Sequence, residues 1–217
     1  MNSKPKRLET ALLVLPSVLL LLASWFRWAS IDFTEACGFV TGAVCVWLVT
    51  RVNIWNWPIG LANNLFFALL FWRTRLFADM GLQGVYLILG IWGWWQWLRG
   101  GENHSRLEVT RSTRNEWIGI AVFLVFGTWG LRELLISVNG TAPFLDSLTT
   151  TLCLAAQYLL CRKRIENWWL WIAADLIYVP LYFQKHLQLT AVLYAGFIVL
   201  CVIGLCRWKK ELQISRP

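Results

Sequence analysis

Residues 51–77 read RVNIWNWPIGLANNLFFALLFWRTRLF, and residues 162–188 read RKRIENWWLWIAADLIYVPLYFQKHLQ. Laid over one another without a gap, at an offset of 111 residues, they align Arg51 with Arg162, Ile54 with Ile165, Asn56 with Asn167 and Trp57 with Trp168. The register continues through Ala62 on Ala173, Leu65 on Leu176 and Leu76 on Leu187, to Gly93 on Gly204 and Trp97 on Trp208. Apolar residues coincide easily by chance, whereas Arg, Asn, Trp and Gly in one ungapped register do not. An internal repeat of this length decides the architecture before any motif is read.

Working outward from the repeat, the composition is that of a membrane protein. Of 217 residues, 58% are hydrophobic and 15% charged, against roughly 25% charged in soluble domains. The 16 tryptophans suit bilayer interfaces and ring-stacking sites. A span needs about 20 mostly apolar residues. Eight runs qualify, at roughly 11–28, 33–50, 54–72, 79–98, 116–136, 144–162, 166–183 and 188–207. The first follows Lys4, Lys6 and Arg7 like a signal peptide, but it lacks a small-residue cleavage site and is read as a retained helix.

With eight spans, both termini and the even-numbered loops share a side. That side carries most of the 20 Lys and Arg residues, including Arg106, Arg111, Arg114, Arg162, Lys163, Arg164, Lys209 and Lys210. The positive-inside rule places it in the cytoplasm. The charges sit in short clusters between apolar runs, so the net charge of +8 reflects topology, and no nucleic-acid partner is expected.

The repeat then holds three spans, with one span between the copies. Three helices reverse direction, so a fourth restores the polarity of the second copy. The expected fold is an all-α polytopic membrane protein, a 3+1+3 parallel tandem repeat of the SWEET kind plus one extra N-terminal transmembrane helix. Its parts are residues 1–32 (N-terminus and extra helix), 33–98 (first repeat), 99–143 (cytoplasmic loop and linker helix), 144–208 (second repeat) and 209–217 (cytoplasmic tail). Such proteins bind cargo near mid-membrane, where the repeats meet.

Polar side chains inside a bilayer are costly and mark candidate sites. Trp168, Trp171, Asp175, Tyr178 and Tyr182 fall on one helical stripe. A carboxylate among aromatic rings suits a cationic or polyhydroxylated ring compound. The same stripe also suits a packing seam between helices, and both readings stand. The matching stripe contains Trp57, Asn64, Phe67 and Phe71, with Asn64 in the place of Asp175. Gln83, Tyr86 and Trp94 share a face of the fourth run, where Gly90 and Gly93 allow close helix approach. Gln157 lies well inside the sixth, and Asn167 opens the seventh. Asp79 is read as a helix cap, and Glu35 and Asp146 as acids at helix starts.

Catalysis is not expected. The sequence has no HExxH, G-x-S-x-G or phosphate-binding loop. The six cysteines form no C-x-x-C pair, and the two histidines lack metal-ligand spacing. Neither a cofactor nor a metal is expected.

The strings IWNWPIGLANNLFF, LFADMGLQGVYLILGIWGWWQW, RKRIENWWLWIAAD and LTAVLYAGFIVLCVIG closely resemble the PnuC family of nicotinamide riboside transporters. The resemblance covers residues 33–208. It implies a 3+1+3 fold, a homotrimer in the bacterial inner membrane, surrounded by membrane lipid, and uptake of nicotinamide riboside by facilitated diffusion. It also implies trapping by a cytoplasmic riboside kinase. The cargo would place its ring between Trp57, Trp168 or Trp171, and its hydroxyls on Asn64, Gln83, Gln157 or Asp175. The alternatives are another vitamin or nucleoside such as thiamine, itself a cationic aromatic, or a SWEET-like sugar carrier.

Overall fold

A computed structural model describes residues 17–18, 22, 24–26, 33–73, 75, 77–138, 142–184 and 188–214. The expected first span, 11–28, lies largely outside them. The ordered elements are α1 (Phe33–Thr50), α2 (Asn56–Arg73), α3 (Phe77–Arg99), α4 (Arg114–Ser137), α5 (Pro143–Cys161), α6 (Asn167–Gln184) and α7 (Gln188–Ile214). Among the described residues there is no strand, only one isolated parallel β-bridge between Thr110 and Arg164. Seven of the eight expected runs thus appear as helices. The last continues to Ile214, so most of the expected tail is helical.

Two of the described helices, α4 and α5, are long and apolar enough to cross a membrane by length and composition alone. In α2, Asn56, Asn63 and Asn64 interrupt the apolar run. Such groups lower hydropathy even where they are buried against protein. The exposed side chains are nonetheless apolar: Ile118, Val122, Val125, Phe126 and Trp129 line the open face of α4. So large an apolar surface marks contact with lipid or protein.

The chain forms two compact units, residues 1–49 with 53–91 and residues 50–52 with 92–217. In the first, α2 is riveted to α1. Asn63 Nδ2 donates to Gly38 O at 2.5 Å and to Thr41 Oγ1 at 3.1 Å, and Cys45 Sγ donates to Asn56 O at 3.3 Å. Gly90 of α3 approaches α2 closely, since a Cβ there would lie 2.9 Å from Leu61 Cδ2. In the second, α5 packs on α4 and α6, and α6 packs on α7. The hydroxyls of Thr128 and Thr151 meet at 2.7 Å inside the α4–α5 contact.

Local chemistry explains the helix ends. Pro143 opens α5 and Pro58 lies in the first turn of α2, where no intrahelical donor is lost. Thr113 and Glu116 form a reciprocal capping box at the start of α4. Asp79 is a correction to the capping expectation. Helix α3 already begins at Phe77, so Asp79 sits in its first turn, where the helix dipole favours an acid.

The turns before α2 and α6 are built alike. Val52 and Lys163 both adopt positive φ, 53° and 55°. Asn53 N donates to Leu48 O, and Arg164 N to Leu159 O. Asn56 Nδ2 closes on Asn53 O at 2.6 Å, and Asn167 Nδ2 on Arg164 O at 2.6 Å. Each of these bonds has its counterpart 111 residues on. A β-branched residue at positive φ is unfavourable, so at Val52 the surrounding hydrogen bonds must impose the conformation.

Candidate functional site

The stripe on α6 lies largely along its contact with α7. Trp168 is 1% exposed, meets Trp208 edge-on with centroids 5.5 Å apart, and covers Gly204, where any Cβ would collide with its ring. Two turns further along, Cys201 Sγ points at Asp175 Oδ2 across 3.9 Å. Beyond that, Tyr178 and Tyr182 close on Tyr194 at 4.8 and 5.1 Å. Four members of the stripe therefore serve a helix seam, as the packing reading expects. Asp175 is 5% exposed, and among the described residues its carboxyl group faces the Cys201 thiol, so it is a weakly satisfied buried polar group. Such a group has electrostatic capacity to spare for a cation.

The remaining candidates divide by how much of their chemistry is already used. Asn167 is fully buried, and its amide nitrogen is spent on the turn. Its Oδ1, like Trp168 Nε1, is buried without a hydrogen-bond partner among the described residues. Trp57 is 3% exposed. Asn64 and Gln83 in the first unit, and Trp94, Gln157 and Trp171 in the second, are half-buried, and among the described residues none makes a hydrogen bond or ring contact. Tyr86 is half-buried on the same face of α3 as Gln83. Beside Gln157, Tyr158 stacks on Trp92 at 5.9 Å.

Three participants escaped the sequence reading. Tyr194 completes the tyrosine cluster from α7, and it is the 111-residue counterpart of Gln83, so the offset alone could have found it. Cys201 corresponds in the same way to Gly90. Asn63, next to Asn64, turned out to hold α1 to α2. Only the rotation of α2 about its axis separates the two asparagines.

The helices carrying these residues lie in a segment shared with known transporters. The family model described as nicotinamide mononucleotide transporter matches residues 32–210. The nicotinamide riboside transporter PnuC of Escherichia coli (strain K12) is 25% identical over 201 residues, covering 81% of this chain and 83% of that protein. The riboflavin/roseoflavin transporter RibM of Streptomyces davaonensis is 24% identical over 192 residues, covering 86% and 90%. In structure, the chain resembles the crystal structure of the vitamin B3 transporter PnuC with a TM-score of 0.72. The two are 23% identical, and the match covers 95% of this chain and 92% of that one. Because the family match runs from the start of α1 to near the end of α7, this chain belongs to the nicotinamide mononucleotide transporter family and is a multi-pass membrane protein.

Proposed function

We propose that this protein takes up nicotinamide riboside by facilitated diffusion, and that a cytoplasmic kinase traps the cargo by phosphorylation. The observation that carries the cargo is the buried carboxylate of Asp175 in the α6–α7 seam. Helix α6 contains no Lys or Arg, and the basic residues of α7 begin only at Arg207. A buried carboxyl group on the helix stripe that also carries Trp168, Tyr178 and Tyr182 favours a positively charged aromatic ring. A phosphorylated mononucleotide would bring a dianion into a seam with no cation to meet it. The dephosphorylated riboside, a pyridinium ring on an uncharged sugar, fits better. The similarity to PnuC proteins supports the same cargo.

In this reading the candidates for cargo contact are Trp57, Asn64, Gln83 and Tyr86 in the first unit, and Trp94, Gln157, Trp168 and Trp171 in the second. The matched turns before α2 and α6 support the 3+1+3 parallel repeat within the boundaries given above. The extra N-terminal helix, the inner-membrane location and cytoplasmic termini rest on the apolar run 11–28 and on the distribution of Lys and Arg. The apolar outer face of α4 supports a homotrimer embedded in lipid.

The similarity to RibM favours riboflavin as the second cargo, though its uncharged ring system gains nothing from Asp175. Uptake of radiolabelled nicotinamide riboside into proteoliposomes, competed with the mononucleotide, thiamine and riboflavin, tests the assignment. Saturable uptake blocked only by unlabelled riboside is expected. Uptake blocked better by riboflavin or the mononucleotide would reassign the cargo.

A further inference from the structure

The connection from α3 to α4 is not a free loop. Leu107 N donates to Trp97 O at 3.2 Å, and Val109 is 4% exposed. Thr110 N donates to Lys163 O at 3.2 Å, and Ile165 N donates back to Thr110 O at 3.0 Å, which makes the β-bridge. Side chains then bolt the bridge down. Lys163 Nζ donates to Leu107 O at 2.6 Å. Arg164 donates to Thr110 Oγ1 at 2.6 Å and, through Nε and Nη2, to Glu116 Oε1 at 3.1 and 2.9 Å. Glu166 Oε2 accepts from both the backbone N–H and the hydroxyl of Ser112, at 2.8 and 3.0 Å. Charge-assisted bonds of this kind are the strong ones. Those of Arg164 and Glu116 involve side chains only 15% and 13% exposed, so salt screens them weakly.

The anchors belong to one copy of the repeat only. The turn before α2 repeats the backbone of the turn before α6, yet at the places of Lys163, Arg164 and Glu166 it carries Val52, Asn53 and Trp55. None of these is charged, and none can make the same bonds. The duplication preserved the turn, and the charged anchors exist only where the connecting segment crosses it.

We infer that residues 107–113 form a strap that stays closed through the transport cycle, so that the end of α3, the start of α4 and the α5–α6 turn move as one body. Opening the strap would strand the buried Lys163 ammonium and separate Arg164 from Glu116, so motion is cheaper elsewhere in the molecule. The cycle referred to here rests on the transport reading above.

The test closes the strap covalently. In full-length protein whose six native cysteines are replaced, Thr110→Cys and Arg164→Cys are joined by a short bis-methanethiosulfonate and reconstituted. The cysteine-free parent receives the same reagent. Riboside uptake by the joined protein is expected to stay within about twofold of the sample released with dithiothreitol. A loss of about tenfold or more, restored by reductant and absent from the parent, overturns the strap. A second measurement is independent of cargo. Amide exchange of the wild-type protein in nanodiscs should show slow exchange at Thr110 and Ile165, and exchange at the rate of an unfolded peptide overturns the proposal. If wild-type vesicles take up no riboside, the cargo is wrong, and the exchange result alone decides the strap.

Discussion

The ammonium of Lys163 lies 4.5 Å from the centre of the Trp97 ring, and the indole N–H of Trp97 donates to Leu160 O at 2.9 Å. Trp97 in turn meets Trp208 at 5.9 Å, and Trp208 meets Trp168. A continuous chain of contacts therefore runs from the turn between α5 and α6, through the end of α3, to the Trp168 ring packed between α6 and α7.

The charge on Lys163 has a measurable consequence. Burial pushes its amine down from 10.5 to about 8, with Arg106 acting in the same direction and Glu211 and Glu108 opposing. The folded state thus releases this proton at a lower pH than the unfolded chain. Between about pH 8 and pH 10.5 the unfolded state binds more protons, so this group adds stability as pH rises through that window and carries its full desolvation cost below it. The neutral amine still donates to Leu107 O. Thermal melts in detergent from pH 7 to 10 should show the wild type gaining on Lys163→Met as pH rises. A wild type that falls relative to the variant contradicts the assignment.

Gly204 is required by the close approach of Trp168. Gly204→Ala forces a methyl group into the indole and should cost about 1–3 kcal/mol, the usual range for overpacking. Trp168→Phe in the same chain makes room and should recover part of that loss. Melting temperatures of the two single variants and the double variant measure it, and strict additivity would show that the two residues do not press on one another.

Asn56 and Asn167 perform one task in two places, each closing its turn through a 2.6 Å bond. Alanine at either position should cost about 0.5–1.5 kcal/mol, because the carbonyl of Asn53 or Arg164 loses its side-chain donor but keeps the backbone N–H. The two losses should be similar. If Asn167→Ala abolished uptake with no change in melting, its role in cargo binding would outweigh its role in the turn.

Asp175 is the electrostatic centre of the proposed cargo site. Asp175→Asn keeps the shape and removes the charge. Riboside uptake should fall by about ten- to a hundredfold, the equivalent of roughly 1.5–3 kcal/mol for a charged hydrogen-bonding group. Uptake of an uncharged cargo such as riboflavin, where measurable, should be spared. Equal loss for both cargoes would show that Asp175 only holds α6 to α7.

Much of this architecture was legible in one dimension. Most helix limits followed from the apolar runs, because helix formation answers to neighbours within a few turns. The likeness of the two turns was visible too, since matched turns need matched residues: Asn56 and Asn167 make the same bond because the same backbone requires it.

What only the tertiary structure decided depends on residues distant in sequence or on the rotation of a helix about its axis. Periodicity placed Trp168, Asp175, Tyr178 and Tyr182 on one face, but not what that face meets. Contact with Trp208, Cys201 and Tyr194 of α7 makes the stripe a packing seam as well as a candidate site. Asn63 and Asn64 are indistinguishable as letters, yet a rotation of about 100° per residue sends one into hydrogen bonds with α1. The strap was wholly hidden, because a β-bridge between Thr110 and Arg164 has no periodic signature in a polar connection. Its side-chain bonds join residues far apart in sequence, such as Arg164 with Thr110 and Glu166 with Ser112.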